Sequence, residues 1–362
     1  MDNELDRRLA PLRARIDEID AALIDLLNQR ARVALEVGEV KKHFDAPVFR
    51  PERERQVIER LQRLGQGPLA NEHVEAIWRQ IMSASRAIEA PQAVAYLGPE
   101  GTFSEQAALA YFGDATDRVA APSIDEVFRA VESGAVDFAV VPVENSTEGV
   151  VSRTLDLLLR TTRPITGEVS LPIHHHLLCR DAGAELASVA RVCAHPQALA
   201  QCQHWLSQHL PNAERVPVSS NAEGARRAAI EAGTAAIAGE RALQRYQLHA
   251  AARMIQDDPH NRTRFYVLGG TPPLSTGRDQ TSLILSVRHE AGAVHRMLAP
   301  LARHGVSMNR FESRPARSGE WEYYFYVDVA GHANDQEVAA ALADLRRDVL
   351  FFKLLGSYPR AQ

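Results

Sequence analysis

Leu5, Leu9, Leu12, Ile16, Ile19, Leu23, Leu26, Val33, Val37 and Val40 recur three and four residues apart. That spacing predicts one long amphipathic helix with a heptad seam. Arg30 interrupts the seam where Leu or Val is expected, and a guanidinium facing apolar groups is costly unless an anion meets it. At 1.5 Å per residue the stripe runs about 55 Å, longer than one small domain covers. It therefore predicts packing against a second copy of the chain, with charge inside the bundle. Asp45-Ala46-Pro47 marks a turn. Pro51 then opens a second helix striped by Val57, Ile58, Leu61 and Leu64, and a third helix carries Val74, Ile77, Trp78, Ile81, Met82, Ser85 and Ile88 on one face.

From Ala93 the pattern changes to short apolar runs alternating with helical stretches. Ala93–Leu97, Phe138–Val143, Ile165–Leu171, Val189–Ala194, Ala235–Ala238 and Phe265–Leu268 predict buried strands, and Ser123 with Glu126 forms a capping box before one intervening helix. Strand–helix alternation implies an α/β domain whose ligands bind at strand carboxyl ends or between lobes. Residues 271–279 are a linker. Beyond it, strand (281–287), helix (291–304), strand (306–311), strand (323–329), helix (335–346) and strand (350–355) follow in the βαββαβ order of a ferredoxin-like module. The fold expected is multidomain: an all-α segment over 1–90, a two-lobed α/β segment over 93–270 and a βαββαβ segment over 280–362.

Composition narrows the function. At 362 residues, 24% charged and a net charge of −5, the chain lacks the basic surplus of a nucleic-acid binder. It has no apolar run of the roughly 20 residues that span a bilayer. The charged start MDNELDRRLA does not read as a signal peptide. Cys179, Cys193 and Cys202 are odd in number and lack C-x-x-C spacing, so neither disulfides nor zinc is expected. These features predict a cytoplasmic protein. Lys occurs only at 41, 42 and 353, which sets Lys41 apart.

Lys41 follows Arg30 by eleven residues, which at about 100° per residue puts the two within about 20° on one helix face. Arg13 points about 100° away from Arg30 by the same count, so it serves such a site more readily from a second copy. Arg53 and Glu54 open the second helix, Ser85 lies inside the third helix's apolar stripe, and Glu89 is one turn further on. These groups suit a small dianionic ligand. A ladder of solvated flanking charges is the alternative, and spacing alone leaves both open.

Through LRARID, QRARVALEVGEVKK, PVFRPERE and IMSASRAIE, residues 1–90 resemble the helical chorismate mutases fused to prephenate dehydratase, which form intertwined dimers. The resemblance implies that Arg30, and Arg13 from a second copy, grip the substrate's carboxylates. It implies that Lys41 faces the ether oxygen, that Glu54 and the Arg50 backbone meet the ring hydroxyl, and that Ser85 and Arg53 complete the pocket. A Claisen rearrangement needs no nucleophile; holding the chair-like conformer and placing positive charge on the breaking C–O bond suffice. Glu89 stands where some relatives carry Gln. It donates to the ether oxygen only when protonated, so mutase activity is expected to fall as pH rises through its titration.

In the middle segment GPEGTFSEQAA (98–108) follows a strand and opens a helix, which suits an anion but does not fit G-x-G-x-x-G. VPVENSTEG (141–149) gathers Glu144, Asn145, Ser146 and Thr147 in a turn, where local capping is the commoner role. His174-His175-His176 has no acidic partner at matching spacing, and no metal is expected. AHPQALAQC places Gln201 on a helix after a strand end, and Thr263-Arg264-Phe265 opens the last strand. These blocks resemble the prephenate dehydratases, whose fold is two α/β lobes around a cleft. The resemblance ties Thr263 to catalysis, as a hydrogen-bond donor to the departing ring hydroxyl. It maps Glu144, Asn145, Gln201 and Phe265 to the cleft, with Arg264 able to hold a carboxylate. Ala194 stands where many relatives have Ser, so weaker substrate binding or compensation by Ser146 is expected.

Residues 291–315 are similar to the ACT regulatory domain, through Gly292-Ala293-Val294 and Glu312-Ser313-Arg314-Pro315. That implies phenylalanine binding between paired domains and feedback inhibition; an ordinary dimerisation module is the alternative. The expectation is a bifunctional enzyme acting on chorismate and prephenate. It needs no cofactor, is controlled by phenylalanine, and works as a homodimer or higher homo-oligomer without nucleic-acid or membrane partners. A mutase fused to a dehydrogenase would need a dinucleotide fingerprint, and a non-catalytic sensor would bind ligand without turnover.

Overall fold

The computed structural model describes residues 2–44, 46–316 and 323–361; Asp45 of the predicted turn lies outside them. The chain divides into two compact units, the first running to Gln92 with Phe112–Thr116, the second comprising Ala93–Tyr111 and Asp117 onward. The first is helical: α1 (Asp2–His43), α2 (Pro51–Leu64) and α3 (Asn71–Glu89). Pro51 sits at the start of α2, where its missing N–H costs nothing, and Glu52 and Glu54 favour the positive end of the helix. Phe49, Ile58, Val74 and Met82 are buried, while Leu5, Leu12, Ile16, Ile19, Leu23, Leu26, Val33, Val37 and Val40 of the α1 stripe are exposed in the single chain.

The second unit begins with β1 (Ala93–Leu97), α4 (Phe103–Phe112), β2 (Asp117–Ala121), α5 (Ile124–Glu132), β3 (Phe138–Asn145), β4 (Gly149–Val150), α6 (Ser152–Leu158) and β5 (Ile165–Pro172). Next come β6 (His176–Cys179), β7 (Arg191–Ala194), α7 (Pro196–Gln201), α8 (Gln203–His209), β8 (Glu214–Pro217), α9 (Asn221–Ile230), β9 (Thr234–Ala238), α10 (Glu240–Arg245), β10 (His249–Ala252) and β11 (Arg262–Gly269). These form two sheets, β2-β1-β3-β11-β5 and β10-β6-β9-β7-β8. β1 is parallel to β2 and β3, and β7 to β8 and β9. The chain leaves the first sheet after β5, builds the second, and returns as β11 between β3 and β5. That return is antiparallel and sets Thr263 opposite Asn145 and Arg264 opposite Glu144. Ser123 caps α5, its Oγ accepting from the Glu126 N–H at 3.2 Å, the serine half of the predicted capping box.

The unit ends with β12 (Asp279–Ser286), α11 (Ala293–Arg303), β13 (Met308–Pro315), β14 (Tyr323–Ala330), α12 (Gln336–Asp348) and β15 (Phe351–Pro359), in the antiparallel order β13-β14-β12-β15. Both faces of this sheet are covered. Leu283, Leu285, Val327 and Val329 pack with Met297, Leu301 and Leu345 of the helices. Ile284, Tyr326, Leu355 and Tyr358 share a core with Leu155 and Leu158 of α6 and with Ile165 and Tyr266 of the first sheet. Covering on both faces explains why β12 is buried along its whole length.

Apolar periodicity located the central strands. It missed β2, β4, β6, β8 and β10, which are short, or polar, or at sheet edges. Of the three consecutive histidines only His176 lies on a strand. No described helix is long and apolar enough to cross a membrane.

Candidate functional site

In the helical unit the α1–α3 packing gathers part of the predicted constellation. Arg30 Nη1 donates to Ser85 Oγ, and Ser85 in turn donates to the Ile81 carbonyl at 2.8 Å. Three turns along α1, Lys41 Nζ donates to Glu89 Oε1 at 2.9 Å and to the Val48 carbonyl at 3.0 Å. A Cβ on Gly38 would lie 2.6 Å from Glu89 Cγ, so a glycine here admits that side chain between the helices. Partial burial pulls the Arg30 guanidinium below its ordinary pKa, the direction expected where a cation loses solvent. Arg30, Lys41, Ser85 and Glu89 thus line one face.

Glu54 is half-buried and pairs with Arg86, a buried cation that the sequence reading passed over because it sits among the third helix's apolar positions. Arg86 also stacks on Phe49, 4.6 Å from the ring centre. Arg50 pairs with Glu52 at 2.7 Å. Arg53 is exposed and, among the described residues, donates to Gln56 at 3.5 Å. Arg13 is exposed near Asp6 at 3.5 Å, and seventeen helical residues put it about 25 Å from Arg30. Within one chain Arg13 and Arg53 are not brought to this face.

In the second unit a cavity of about 720 Å³ lies at the carboxyl ends of β1, β3, β7 and β9, where open α/β sheets bind ligands. The N-termini of α4 and α9 both reach it, through Thr102, Phe103 and Ser104 and through Ser219, Ser220 and Asn221. Buried Glu105 holds the loop before α4: its carboxylate accepts from the Gly101 N–H at 2.6 Å and pairs with Arg241 at 2.9 Å. Asn145, Gln201 and Thr263 face the cavity from three different elements. Thr263 Oγ1 accepts from Asn145 Nδ2 at 2.8 Å, and Gln201 Nε2 donates to Thr147 Oγ1 at 2.9 Å. His175 joins them as a residue the sequence reading had weighed only as a metal ligand. Its ring is buried, 2.9 Å from Gln201 Oε1, and burial pushes its pKa down to about 4. None of the lining residues is Arg or Lys. The lining includes one carboxylate, Glu223, paired with Arg226 and Arg227, and the groups suited to an anion here are the helix N-termini and their N–H groups.

This arrangement corrects the reading of Arg264. The strand turns it away from Thr263's side, where it donates to Glu168 at 2.9 Å, to Asp328 of β14 at 2.6 Å and to the Tyr266 hydroxyl at 3.0 Å. Neighbours on a strand point to opposite faces, so Thr263 and Arg264 cannot share one ligand. Glu144 likewise meets Arg310 of β13 at 3.1 Å and Arg264 at 3.7 Å. Neither Arg264, Glu144 nor the buried Phe265 lines the cavity. Ser146 does not line it either, and its Oγ accepts from the Arg262 N–H at 2.9 Å. Ala194 is fully buried; the serines at the cavity are Ser104, Ser219 and Ser220.

In the last sheet Gly292 caps α11 with φ of 78°, a left-handed conformation that favours glycine, followed by buried Ala293 and exposed Val294. Glu312, Ser313, Arg314 and Pro315 lie on edge strand β13, where Arg314 pairs with Asp156 of α6 at 3.0 Å.

Residues 12–90 match the type II chorismate mutase family, 94–273 the prephenate dehydratase family and 281–347 the ACT domain family. A bifunctional chorismate mutase/prephenate dehydratase of Neisseria gonorrhoeae is 48% identical across 100% of this chain and 99% of its own length. One from Pseudomonas aeruginosa is 46% identical over 98% of each. A prephenate dehydratase of Arthrobacter aurescens, solved in complex with L-Phe, superposes with a TM-score of 0.68 at 36% identity, covering 74% of this chain and 90% of that one. With full-length similarity and three matched segments in the same order, this chain belongs to the bifunctional chorismate mutase/prephenate dehydratase family.

Proposed function

We propose that the chain carries out two consecutive reactions of phenylalanine biosynthesis, chorismate to prephenate and prephenate to phenylpyruvate, under feedback control by phenylalanine. In the first, Arg30 holds one carboxylate, Arg13 of a second copy holds the other, and Lys41 faces the ether oxygen where partial negative charge develops. Ser85, Glu54, Glu89, Arg50 and Arg53 complete that pocket. The exposed α1 stripe supports the intertwined homodimer this requires, since a long apolar seam in water is unfavourable until covered.

In the second reaction the ring loses CO2 and hydroxide together, and aromatisation drives it. The enzyme's work is to bind two carboxylates and to donate a proton or hydrogen bond to the departing oxygen. The observation that carries this reading is the hydrogen-bonded set Thr263, Asn145, Thr147 and Gln201 at a cavity fed by two helix N-termini. Thr263 donates to the leaving hydroxyl, and the helix ends hold the carboxylates in place of Arg264. No cofactor is needed. The C-terminal segment is a ferredoxin-like module. Phenylalanine binds it through Gly292–Val294 and Glu312–Pro315, a reading supported by the relative solved with L-Phe. Three free, buried cysteines agree with a cytoplasmic site of action.

The test is chorismate alone, without NAD, followed to prephenate and phenylpyruvate with and without phenylalanine. Phenylpyruvate that phenylalanine suppresses supports the whole reading. Prephenate accumulating without phenylpyruvate removes the second activity, and no loss of chorismate removes both.

A further inference from the structure

The polar groups behind Thr263 form one continuous chain whose direction is set by counting protons. Asn145 Oδ1 accepts from the backbone N–H groups of Thr147 and Glu148 at 3.0 and 3.1 Å. An amide nitrogen cannot take that place, so Nδ2 faces Thr263 Oγ1 and Asn261 Oδ1, each at 2.8 Å. Thr147 Oγ1 gives its single proton to Asn145 Oδ1 at 2.6 Å and therefore accepts from Gln201 Nε2. That leaves Gln201 Oε1 facing two groups, Asn261 Nδ2 at 3.1 Å and His175 Nε2 at 2.9 Å. Flipping Gln201 would set two amide nitrogens against each other. His175 therefore carries its ring proton on Nε2.

The cost of that tautomer is visible. His175 Nδ1 is buried and has no hydrogen-bond partner among the described residues. Burial also keeps the ring neutral at ordinary pH, its pKa lying near 4. Along this chain each proton from His175 to Asn145 points toward the next acceptor. The hydroxyl proton of Thr263 is left for the cavity.

We propose that His175 is a positioning residue of the dehydratase reaction. Its Nε2–H on Gln201 Oε1, with Thr147 Oγ1 accepting from Gln201 Nε2, holds that amide in one orientation at the cavity, beside the Asn145–Thr263 pair. The proposal rests on the dehydratase reading above and adds the residue that orients one of its cavity-lining amides.

The experiment compares full-length wild type, His175→Leu and His175→Gln with prephenate as substrate, and with chorismate as a check on the helical unit. Gln can present an N–H near the position of His Nε2; Leu cannot. The expected result is a fall in dehydratase kcat of about 10–100-fold in His175→Leu, less than the ~10²–10³ for losing a donor to developing charge outright. KM should stay within about threefold, His175→Gln should recover most of kcat, and mutase activity should be unchanged. Thr147→Val removes the exposed middle link and should reproduce the loss of kcat even if His175→Leu fails to fold. Wild-type kcat in His175→Leu or in Thr147→Val overturns the proposal. So does equal impairment of the Leu and Gln variants when both fold. Wild type that leaves prephenate untouched refutes the dehydratase reading instead.

Discussion

Replacing Arg264 by methionine separates two roles that the Thr-Arg-Phe block leaves mixed. In the structure Arg264 bridges Glu168 and Asp328, whose side chains are only 4% and 2% exposed. Removing one partner of a buried ion pair costs about 3–5 kcal/mol, because it strands the other charge. Here the stranded carboxylates keep some partners: Asp328 still accepts from Ser282 Oγ at 2.6 Å, and Glu168 from the Ala361 N–H at 2.8 Å. The low end, about 3 kcal/mol, is therefore expected. For a unit of this size that corresponds to a Tm lower by about 6 °C. Thermal denaturation followed by circular dichroism, alongside prephenate kinetics below the lowered Tm, reads both quantities. Asp328→Asn added to Arg264→Met should cost less than the sum of the single changes, with a coupling of about 1–3 kcal/mol. If Arg264 instead held a substrate carboxylate, loss of that charged contact would raise KM by about 10–100-fold and leave Tm alone. That second pattern would refute the structural role.

Gly38→Ala, whose Cβ would crowd Glu89 Cγ, should lower mutase kcat while dehydratase kinetics stay unchanged, as read from separate chorismate and prephenate assays. His175 predicts a stability effect of definite sign. Its folded pKa near 4 lies below the unfolded value near 6.5, so the unfolded chain binds the proton between those values. Stability is full above pH 6.5 and falls by about 3 kcal/mol on the way to pH 4, as read from denaturant midpoints across that range. His175→Gln should reduce that slope, leaving the share of neighbouring His176, whose pKa burial also lowers, and an unchanged slope in the variant would assign it to other groups.

The sequence determined the elements that repeat a period. The α1 stripe, the start of α2 at Pro51, the apolar central strands and the alternating order of the last sheet each follow from residues close in the chain. Arg30 and Lys41 could be set on one face by counting along a helix, since the rotation per residue is constant, and both meet α3 there, at Ser85 and Glu89. What counting could not reach was decided by pairing between distant segments. Only the return of β11 beside β3 places Thr263 opposite Asn145. Only the docking of the last sheet on the first gives Arg264 the buried Asp328 and draws it away from the cavity. His175 entered the site the same way, because its role depends on an amide on α7 and a turn after β3. A side chain's chemistry is set by the charges and hydrogen-bond partners around it, and those come from wherever the fold brings the backbone together.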